Sequence, residues 1–486
     1  MEIPKPDLIA VLRKFNPWWR GARFPDLPTW TRAAFSEITE WINAPPGGRA
    51  LLLSGARQIG KTTLFLQAAH FLLDHGVPAQ NILYATFDHP LLKLAGLEEV
   101  IKLWRETESR AEGPEYLFLD EIQTLPDWQV WVKHQVDFDK QRRIAITGSA
   151  TPLATEGLES GVGRWHTLKL ATLSFYEYLR IKSRETPPLP EVTSLSQLFS
   201  WPRQQFLNIA TSAESLTGLF HEYLLRGGFP QCALTESIPL AQKMLREDIV
   251  DKVLKRDMTA LFGVRRIVEL EQTFLYLCLH DGGLLDITNL CKNLQLKKPT
   301  VLNFISLLEA THLIYRLLPF GYGKEILRAR PKVYLADAAI APGVLLKGKS
   351  LIEDETALGS AVETAFFKHV FTRYYRQNLF FSYWKGKGEM EVDIIAEVEN
   401  TIIPFEVKYR SDTSSAGSFK GLRQLCREKP VQRCYIITRE IDDFGPAFKN
   451  TFNDSKVMKI PAPLACYWLG EAEVLLGSRA VDSTVE

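Results

Sequence analysis

Apolar residues fall into short runs along the first third of the chain, and each run is followed by small or polar residues. Runs of this length predict buried parallel strands at residues 50–53, 81–88, 115–123, 143–149 and 166–170. The stretch TTLFLQAAHFLL at 62–73 is long enough for a helix and directly follows the first run and a short polar loop. Strands together with this helix predict an α/β fold.

Beyond this region the pattern becomes helical and then mixed. Residues 181–205 are rich in Pro, Ser and charge and predict a linker, and helical spacing continues from there to about residue 265. Residues 266–340 predict several helices followed by a strand hairpin, which is the order of elements in a winged helix. From 341 on, a helix precedes a second hairpin and further short strands, the last of them near 465–469.

Composition narrows the class of protein without identifying a partner. The 486 residues suggest about three domains at roughly 100–200 residues each, and a net charge of +1 neither demands nor excludes nucleic acid. Six cysteines show no C-x-x-C pair, which predicts reduced thiols. The N-terminal stretch lacks the apolar core of a signal peptide, and no run approaches the roughly 18 apolar residues of a membrane span. We therefore expect a cytoplasmic protein.

The loop after the first predicted strand has the form G-x-x-x-x-G-K-T, a P-loop. Gly55 and Gly60 allow the backbone to turn tightly and to direct its N–H groups at a phosphate chain. Lys61 would supply positive charge to the β- and γ-phosphates, and Thr62 would offer a hydroxyl to Mg²⁺. The start of the following helix adds the positive end of its dipole. The motif predicts that ATP is held by Gly55, Ala56, Arg57, Gln58, Ile59, Gly60, Lys61, Thr62 and Thr63.

The third predicted strand ends in two acids, in the run EYLFLDEIQ from 115 to 123. This is a Walker B pattern. Asp120 at the strand end would hold Mg²⁺, and Glu121 would polarise the water that attacks the γ-phosphate. Adjacent acids at a strand end are also common in polar loops, but the upstream P-loop favours the catalytic interpretation.

Two further residues are candidates for contact with the transferring phosphate. Ser149 follows the strand RIAITG and is the first candidate for a sensor side chain, with Thr147 as the second; a hydroxyl that caps a turn is the alternative. Arg164 lies in a glycine-rich loop and would serve as an arginine finger toward a neighbouring subunit of a homo-oligomer, or else is a plain loop arginine.

The P-loop, the FLDEIQ segment, the ITGSA strand and the GRW…LSFYEYL run together resemble the AAA+ ATPases found widely in bacteria and archaea with a carboxy-terminal domain of unknown function. The resemblance spans most of the chain and is looser toward its middle. It implies ATP hydrolysis, and it implies that the helical region before residue 265 forms a lid on the nucleotide.

The predicted winged helix carries basic residues that predict contacts with DNA phosphates. They are Lys297 and Lys298 at the start of one helix and Arg328, Arg330 and Lys332 near the hairpin. A spacer or a protein contact is the alternative.

A second set of charged residues lies in the last third. Glu406 and Lys408 are two apart on one predicted strand and share a face, and Asp393 on the adjoining strand can face them, which gives D-x₁₂-E-x-K. This set resembles the PD-(D/E)xK nuclease superfamily, with Glu363 matching its helix acid and Gln424 a helix glutamine. The resemblance implies that Glu363, Asp393 and Glu406 hold Mg²⁺ and that Lys408 positions the attacking water or steadies the phosphorane. Cross-strand salt pairing is the alternative, and Glu391 on the same face is expected to be a solvated neighbour.

Together these patterns predict an α/β protein with a P-loop AAA+ parallel sheet, helices on both its faces, a helical and winged-helix region, and an α/β restriction-endonuclease-like domain. The predicted domains are an N-terminal segment and AAA+ core at 1–180, a linker and helical lid at 181–265, a winged-helix-like domain at 266–340 and a nuclease-like domain at 341–486. The main hypothesis is an ATPase whose nucleotide cycle controls Mg²⁺-dependent cleavage of DNA. The alternative is a nucleotide-dependent switch or assembly protein whose last domain only binds DNA or a protein. A small-molecule kinase fits poorly, because adjacent Asp and Glu suit water activation.

Overall fold

The computed structural model describes most of the chain as two units. The described residues are 4–108, 111–149, 163–321, 326, 329–375, 379–388, 390–398, 401–410, 419–447, 452 and 455–482, the last six of these as backbone only. Those up to Leu170 form the first unit together with Ala310–His312 and the residues from Leu476 on. Ala171–Glu309 and Leu313–Leu475 form the second unit.

The first unit contains a parallel sheet of five strands in the order β2-β3-β4-β1-β5. Its strands are β1 Ala50–Ser54, β2 Ile82–Thr86, β3 Glu115–Asp120, β4 Arg142–Gly148 and β5 Trp165–Lys169. Its helices are α1 Lys5–Phe15, α2 Phe35–Asn43, α3 Lys61–Asp74, α4 Pro90–Thr107 and α5 Trp128–Phe138. Because β1 and β3 are buried along their whole lengths, the sheet lies between layers of helices. The predicted α/β class and parallel strands are confirmed.

The second unit begins with helices. They are α6 Phe175–Ile181, α7 Arg203–Arg226, α8 Pro230–Leu234, α9 Ile238–Met244, α10 Met258–Phe262, α11 Ile267–Leu279, α12 Ile287–Leu294 and α13 Lys298–Ala310, with a π-helical segment Leu245–Asp257 joining α9 to α10. Later in the chain come α14 Ile340–Val344, α15 Glu355–Tyr374, α16 Lys420–Glu428 and α17 Ala462–Asp482. None of the described helices combines the length and the apolarity that crossing a bilayer requires.

An eight-stranded mixed sheet completes the second unit, in the order β12-β13-β11-β10-β9-β8-β6-β7. Its strands are β6 Ile314–Pro319, β7 Lys332–Leu335, β8 Phe380–Lys385, β9 Glu391–Val398, β10 Thr401–Lys408, β11 Arg433–Thr438, β12 Gly445–Pro446 and β13 Lys456–Pro461. Both predicted hairpins are confirmed, because β6 pairs with β7 and β9 pairs with β10 in antiparallel register. The sheet takes strands from both sides of the predicted limit at residue 340, and the four-domain division stays a prediction.

One predicted strand is wrong. Residues 465–469 belong to helix α17, in which Ala465, Cys466, Trp468 and Leu469 are almost completely buried. A helix that is buried on every side shows a continuous apolar run with no polar face. Such a run resembles a buried strand in sequence, so periodicity could not distinguish the two.

Candidate functional site

The P-loop connects β1 to α3 and has the backbone that its glycines predict. A Cβ on Gly55 would stand 2.4 Å from the carbonyl oxygen of Leu170, so the loop passes too close to that chain segment for any larger residue. Gly60 has a φ of +95° and directly precedes the first residue of α3. Gln58 also takes a left-handed conformation, with a φ of +57°. The glycines thus set the tight turn that leads into the helix start.

Lys61 is buried inside this loop. Its Nζ donates hydrogen bonds to the carbonyl oxygens of Gly55 and Ala56, each at 2.8 Å, and only 4% of the residue is exposed. The ammonium group is therefore held on the inner side of the turn, next to the N-terminus of α3. A positive group and the free N–H groups of a helix start together form an anion site.

Asp120 at the end of β3 accepts hydrogen bonds from three hydroxyl groups. Thr62 Oγ1 donates to Asp120 Oδ2 at 2.7 Å, Tyr84 donates from its hydroxyl to the same oxygen at 2.9 Å, and Thr147 donates to Oδ1. Burial is the main cause of the raised pKa of Asp120, and the adjacent Glu121 raises it further. The three hydrogen bonds oppose that rise because they stabilise the carboxylate. Tyr84 had no predicted role, and only its position near the end of a strand could have suggested one.

Glu121 lies just beyond β3 in a left-handed conformation with a φ of 54°. Its backbone N–H donates to Thr147 Oγ1 at 2.9 Å, which ties it to the end of β4. The side-chain amide of Gln123 donates to Glu121 Oε2 and also to Ser149 Oγ, the latter at 3.0 Å. The two predicted residues Glu121 and Ser149 are therefore linked through Gln123, whose role the sequence did not suggest.

Arg164 pairs with Asp137 of α5 within the same chain, at 3.3 Å from Nε to Oδ1. About two fifths of its side chain is exposed. This contact matches the loop-arginine alternative, and a role toward a neighbouring subunit stays a prediction.

These residues suit a nucleotide with Mg²⁺. A hydroxyl and a carboxylate lie 2.7 Å apart at Thr62 and Asp120, and oxygen atoms of this kind are the ligands that Mg²⁺ prefers. Lys61 and the start of α3 provide the positive surface that a triphosphate needs. The first unit thus meets the chemical requirements of the predicted ATP site.

Lys332, which the sequence predicts near the β6–β7 hairpin, lies inside the second predicted site. Lys332, the first residue of β7, is only 2% exposed, and its Nζ lies 3.0 Å from Glu363 Oε1, 2.8 Å from Glu391 Oε1 and 3.1 Å from Asp393 Oδ1. The hydroxyl of Tyr334 donates to the same Glu363 oxygen at 2.8 Å. Glu391 is therefore an ion-pair partner, and the prediction of a solvated neighbour is wrong.

The predicted D-x₁₂-E-x-K residues do lie together beside this lysine. Asp393 Oδ2 accepts from the backbone N–H of Val407 at 2.9 Å and lies 3.8 Å from Lys408 Nζ. Lys408 Nζ is 2.6 Å from Glu406 Oε1. Glu406 Oε2 is buried and has no hydrogen-bond partner among the described residues. Gln424 is half-buried on α16, and its side-chain amide donates to Glu428 Oε1 at 2.7 Å.

Charge in this cluster is balanced partly by protonation. Burial and the neighbouring Asp393 raise the pKa of Glu406 to about 8, and burial also raises the pKa of Glu363. The pKa of Asp393 is lowered in spite of burial, because Lys332 and Lys408 stabilise its carboxylate. Burial alone would lower the pKa of Lys332, but the surrounding acids raise it well above its usual value. Lys332 is therefore a permanent cation of this cluster.

The cluster does not fit the predicted Mg²⁺ ion. No group of three or more His, Cys, Asp or Glu side chains within the described residues is arranged to hold a metal ion. The position between Glu363 and Asp393 is taken by the ammonium group of Lys332. Sequence reasoning found the acids from their local spacing, but it missed the lysine, which lies 61 residues before Asp393.

Comparison with known proteins supports the first site. Residues 47–179 match the family model described as an AAA domain. The P-loop and Glu121 both lie within this AAA domain. Residues 217–350 and 358–452 match two models described only as domains of unknown function, DUF8612 and DUF4143. The chain therefore contains an AAA-type nucleotide-binding domain, whereas the model matched in its last third is described only as a domain of unknown function.

Three similar proteins are named only as uncharacterized proteins, and each matches at least 73% of this chain. A protein of Haemophilus influenzae is 24% identical over 405 residues, which is 80% of this chain and 90% of that protein. Another, from Methanocaldococcus jannaschii, is 22% identical over 73% of this chain and 74% of its own length. A third, from Mycobacterium tuberculosis, is 24% identical over 76% of this chain and 73% of its own length.

Solved structures show only distant likeness. The RuvB Holliday junction branch migration motor of Thermotoga maritima is 17% identical and covers 58% of this chain and 84% of its own, with a TM-score of 0.26. AMPPCP-bound DnaA from Aquifex aeolicus is 14% identical and covers 56% and 86%, with a TM-score of 0.24. At these TM-scores neither structure supports an inference about this chain.

Proposed function

We propose that the AAA domain binds ATP with Mg²⁺ and hydrolyses it. The observation that carries this proposal is the 2.7 Å contact between the Thr62 hydroxyl and Asp120, which joins the P-loop to the end of β3. Lys61 and the N–H groups of the loop would hold the phosphates. Mg²⁺, when bound, neutralises charge on the phosphate oxygens.

Glu121 is the residue that we assign to the attacking water. It follows Asp120 directly, and its backbone is held to Thr147 while its carboxylate accepts from Gln123. A carboxylate in this position accepts a proton from water as that water attacks. Ser149, on the other side of the Gln123 amide, is our candidate for sensing the γ-phosphate.

ATP binding and phosphate release should be measured for the wild type and three variants. We expect Lys61→Ala to lose both. Glu121→Gln should keep ATP binding while its hydrolysis falls by about 10²–10⁴-fold, because only the water-activating step is lost. The matched control is Lys93→Ala, an exposed lysine of α4, which should behave as wild type. Unchanged turnover in Lys61→Ala would contradict the proposal.

For the second unit we propose the binding alternative: the nucleotide state of the AAA domain controls how this unit engages DNA or a protein partner, without cleavage. The specific observation in favour is Lys332, whose ammonium contacts Glu363 and Asp393, two of the three acids predicted to hold the metal for cleavage, and also contacts Glu391. DNA is our first candidate, since Lys297 and Lys298 are exposed at the start of α13, which precedes the β6–β7 hairpin.

Cleavage should be tested directly on linear, supercoiled and branched DNA with Mg²⁺ or Mn²⁺, with and without ATP. We expect no product from the wild type. A product that disappears in Asp393→Asn and in Lys408→Ala would instead establish the nuclease hypothesis. Binding of labelled DNA in the presence of ADP or a non-hydrolysed ATP analogue tests nucleotide control separately.

A further inference from the structure

We propose that Lys332 is the resident cation of the cluster formed by Glu363, Glu391, Asp393 and Glu406, and that it keeps divalent metal ions out of this site. The proposal concerns only the second unit and does not depend on ATP hydrolysis by the first. The side chain of Lys332 would occupy the place that a metal ion would take between these acids.

The geometry of the lysine supports this role. Three carboxylate oxygens from α15 and β9 lie 2.8 to 3.1 Å from a single nitrogen atom. These are ordinary hydrogen-bond distances, so the ammonium group takes the place between the acids that a cation would need. A divalent ion bound by the same oxygens would stand against the ammonium group, and the two positive charges would repel each other strongly in this buried place.

The cluster still has the acids that a metal ion would need. It holds four carboxyl groups beside the two ammonium groups of Lys332 and Lys408. Glu406 is only 4% exposed, and its Oε2 has no hydrogen-bond partner among the described residues. Burying a carboxyl oxygen without a hydrogen-bond partner costs free energy, and such an oxygen can bind a metal ion. Removal of the Lys332 charge should therefore convert the cluster into a cation site.

Lys332 lies on a different strand from the acids of the hairpin. Asp393, Glu406 and Lys408 come from the β9–β10 hairpin, whereas Lys332 enters from β7 at the far edge of the sheet order. Its backbone is fixed by pairing with β6, so that Leu317 lies opposite Lys332. The lysine is therefore not part of the hairpin that carries Glu391, Asp393 and Glu406.

Mn²⁺ binding to the nucleotide-free full chain tests the proposal, with the free ion measured by electron paramagnetic resonance. Lys332→Met keeps the length of the side chain and removes its charge. We expect it to bind one Mn²⁺ per chain at least about tenfold more tightly than the wild type. The double variant Lys332→Met with Asp393→Asn should lose this gain, and Lys332→Arg, which keeps the charge, should not show it. All four proteins share one P-loop, so differences between them report on the acidic cluster.

Folding of each variant is checked by circular dichroism and thermal unfolding. A folded Lys332→Met protein without the gain would overturn the proposal, as would Asp393-dependent Mn²⁺ binding of equal strength in the wild type. If Lys332→Met does not fold alone, refolding with Mn²⁺ should restore it, and the Asp393→Asn double variant should not respond. Failure of Mn²⁺ to restore the single variant would also count against the proposal. Loss of ATP turnover in other variants has no bearing on these outcomes.

Discussion

Glu406 should make the second unit less stable as the pH rises, and Glu406→Gln should remove that effect. Burial and Asp393 raise the pKa of this carboxyl from 4.5 to about 8. A raised pKa means that the folded state holds the proton more tightly than the unfolded state. The contribution to stability is therefore complete below about pH 4.5 and is lost as the pH rises through about 8.

The size of the effect follows from the shift. Each pKa unit corresponds to about 1.4 kcal/mol, and most of the shift lies between pH 5 and pH 8. Over that range the wild type should lose about 3–4 kcal/mol from Glu406 that the glutamine variant does not lose. Packing differences between the two side chains add an offset, but the offset is the same at both pH values. The change in the difference is therefore the quantity to measure.

Hydrogen exchange by mass spectrometry suits this measurement, because two units need not unfold together. Peptides from β9 and β10, corrected for the intrinsic pH dependence of exchange, give the local free energy of opening. Peptides from β1 and β3 in the first unit provide an internal reference. Glu428→Gln, on the exposed side of α16, is the matched control and should track the wild type. An equal wild-type-to-variant difference at pH 5 and pH 8 would refute the argument that Glu406 is held protonated by its surroundings.

Three further predictions concern other parts of the chain. Gly55→Ala should weaken ATP binding by at least about tenfold and cost about 1–3 kcal/mol of stability, because its Cβ would stand 2.4 Å from the Leu170 oxygen; nucleotide titration and thermal unfolding check this. Tyr84→Phe should shift the acid limb of ATP hydrolysis to higher pH, because Asp120 loses a hydrogen bond that lowers its pKa; an unshifted pH profile would contradict this. Replacing both Lys297 and Lys298 by Ala should weaken DNA binding for all sequences and reduce its salt dependence by a slope of about 1–2, as fluorescence anisotropy over a salt series would show.

Local sequence patterns were sufficient for the first site. The G-x-x-x-x-G-K-T spacing, a strand before it and a helix after it specify a backbone turn that depends on neighbours only a few residues away. The Asp-Glu pair at the end of β3 follows from the same logic, because parallel strands end at one edge of the sheet. The structure accordingly places Thr62 against Asp120 as the motifs suggested. What the motifs did not show are Tyr84 and Gln123, whose contacts depend on which strands are neighbours.

The β9–β10 hairpin was also predictable, since a short turn and period-two alternation place Asp393 opposite the strand that carries Glu406. The chemistry of that site was not. Whether four acids hold a metal ion or a lysine depends on which distant strand reaches them, and β7 joins this sheet through β6 and β8. No periodicity in the sequence encodes that pairing.

The sequence by itself determined the P-loop, the acids at the strand ends and the α/β class, because these depend on covalent neighbours and on the periods of helix and strand. The tertiary structure alone decided that α17 is a helix and that Lys332 fills the acidic cluster. In both cases the deciding factor is burial among residues far away in the chain. Burial removes the polar face that would reveal a helix, and it brings the ammonium group of a distant strand to three acidic side chains.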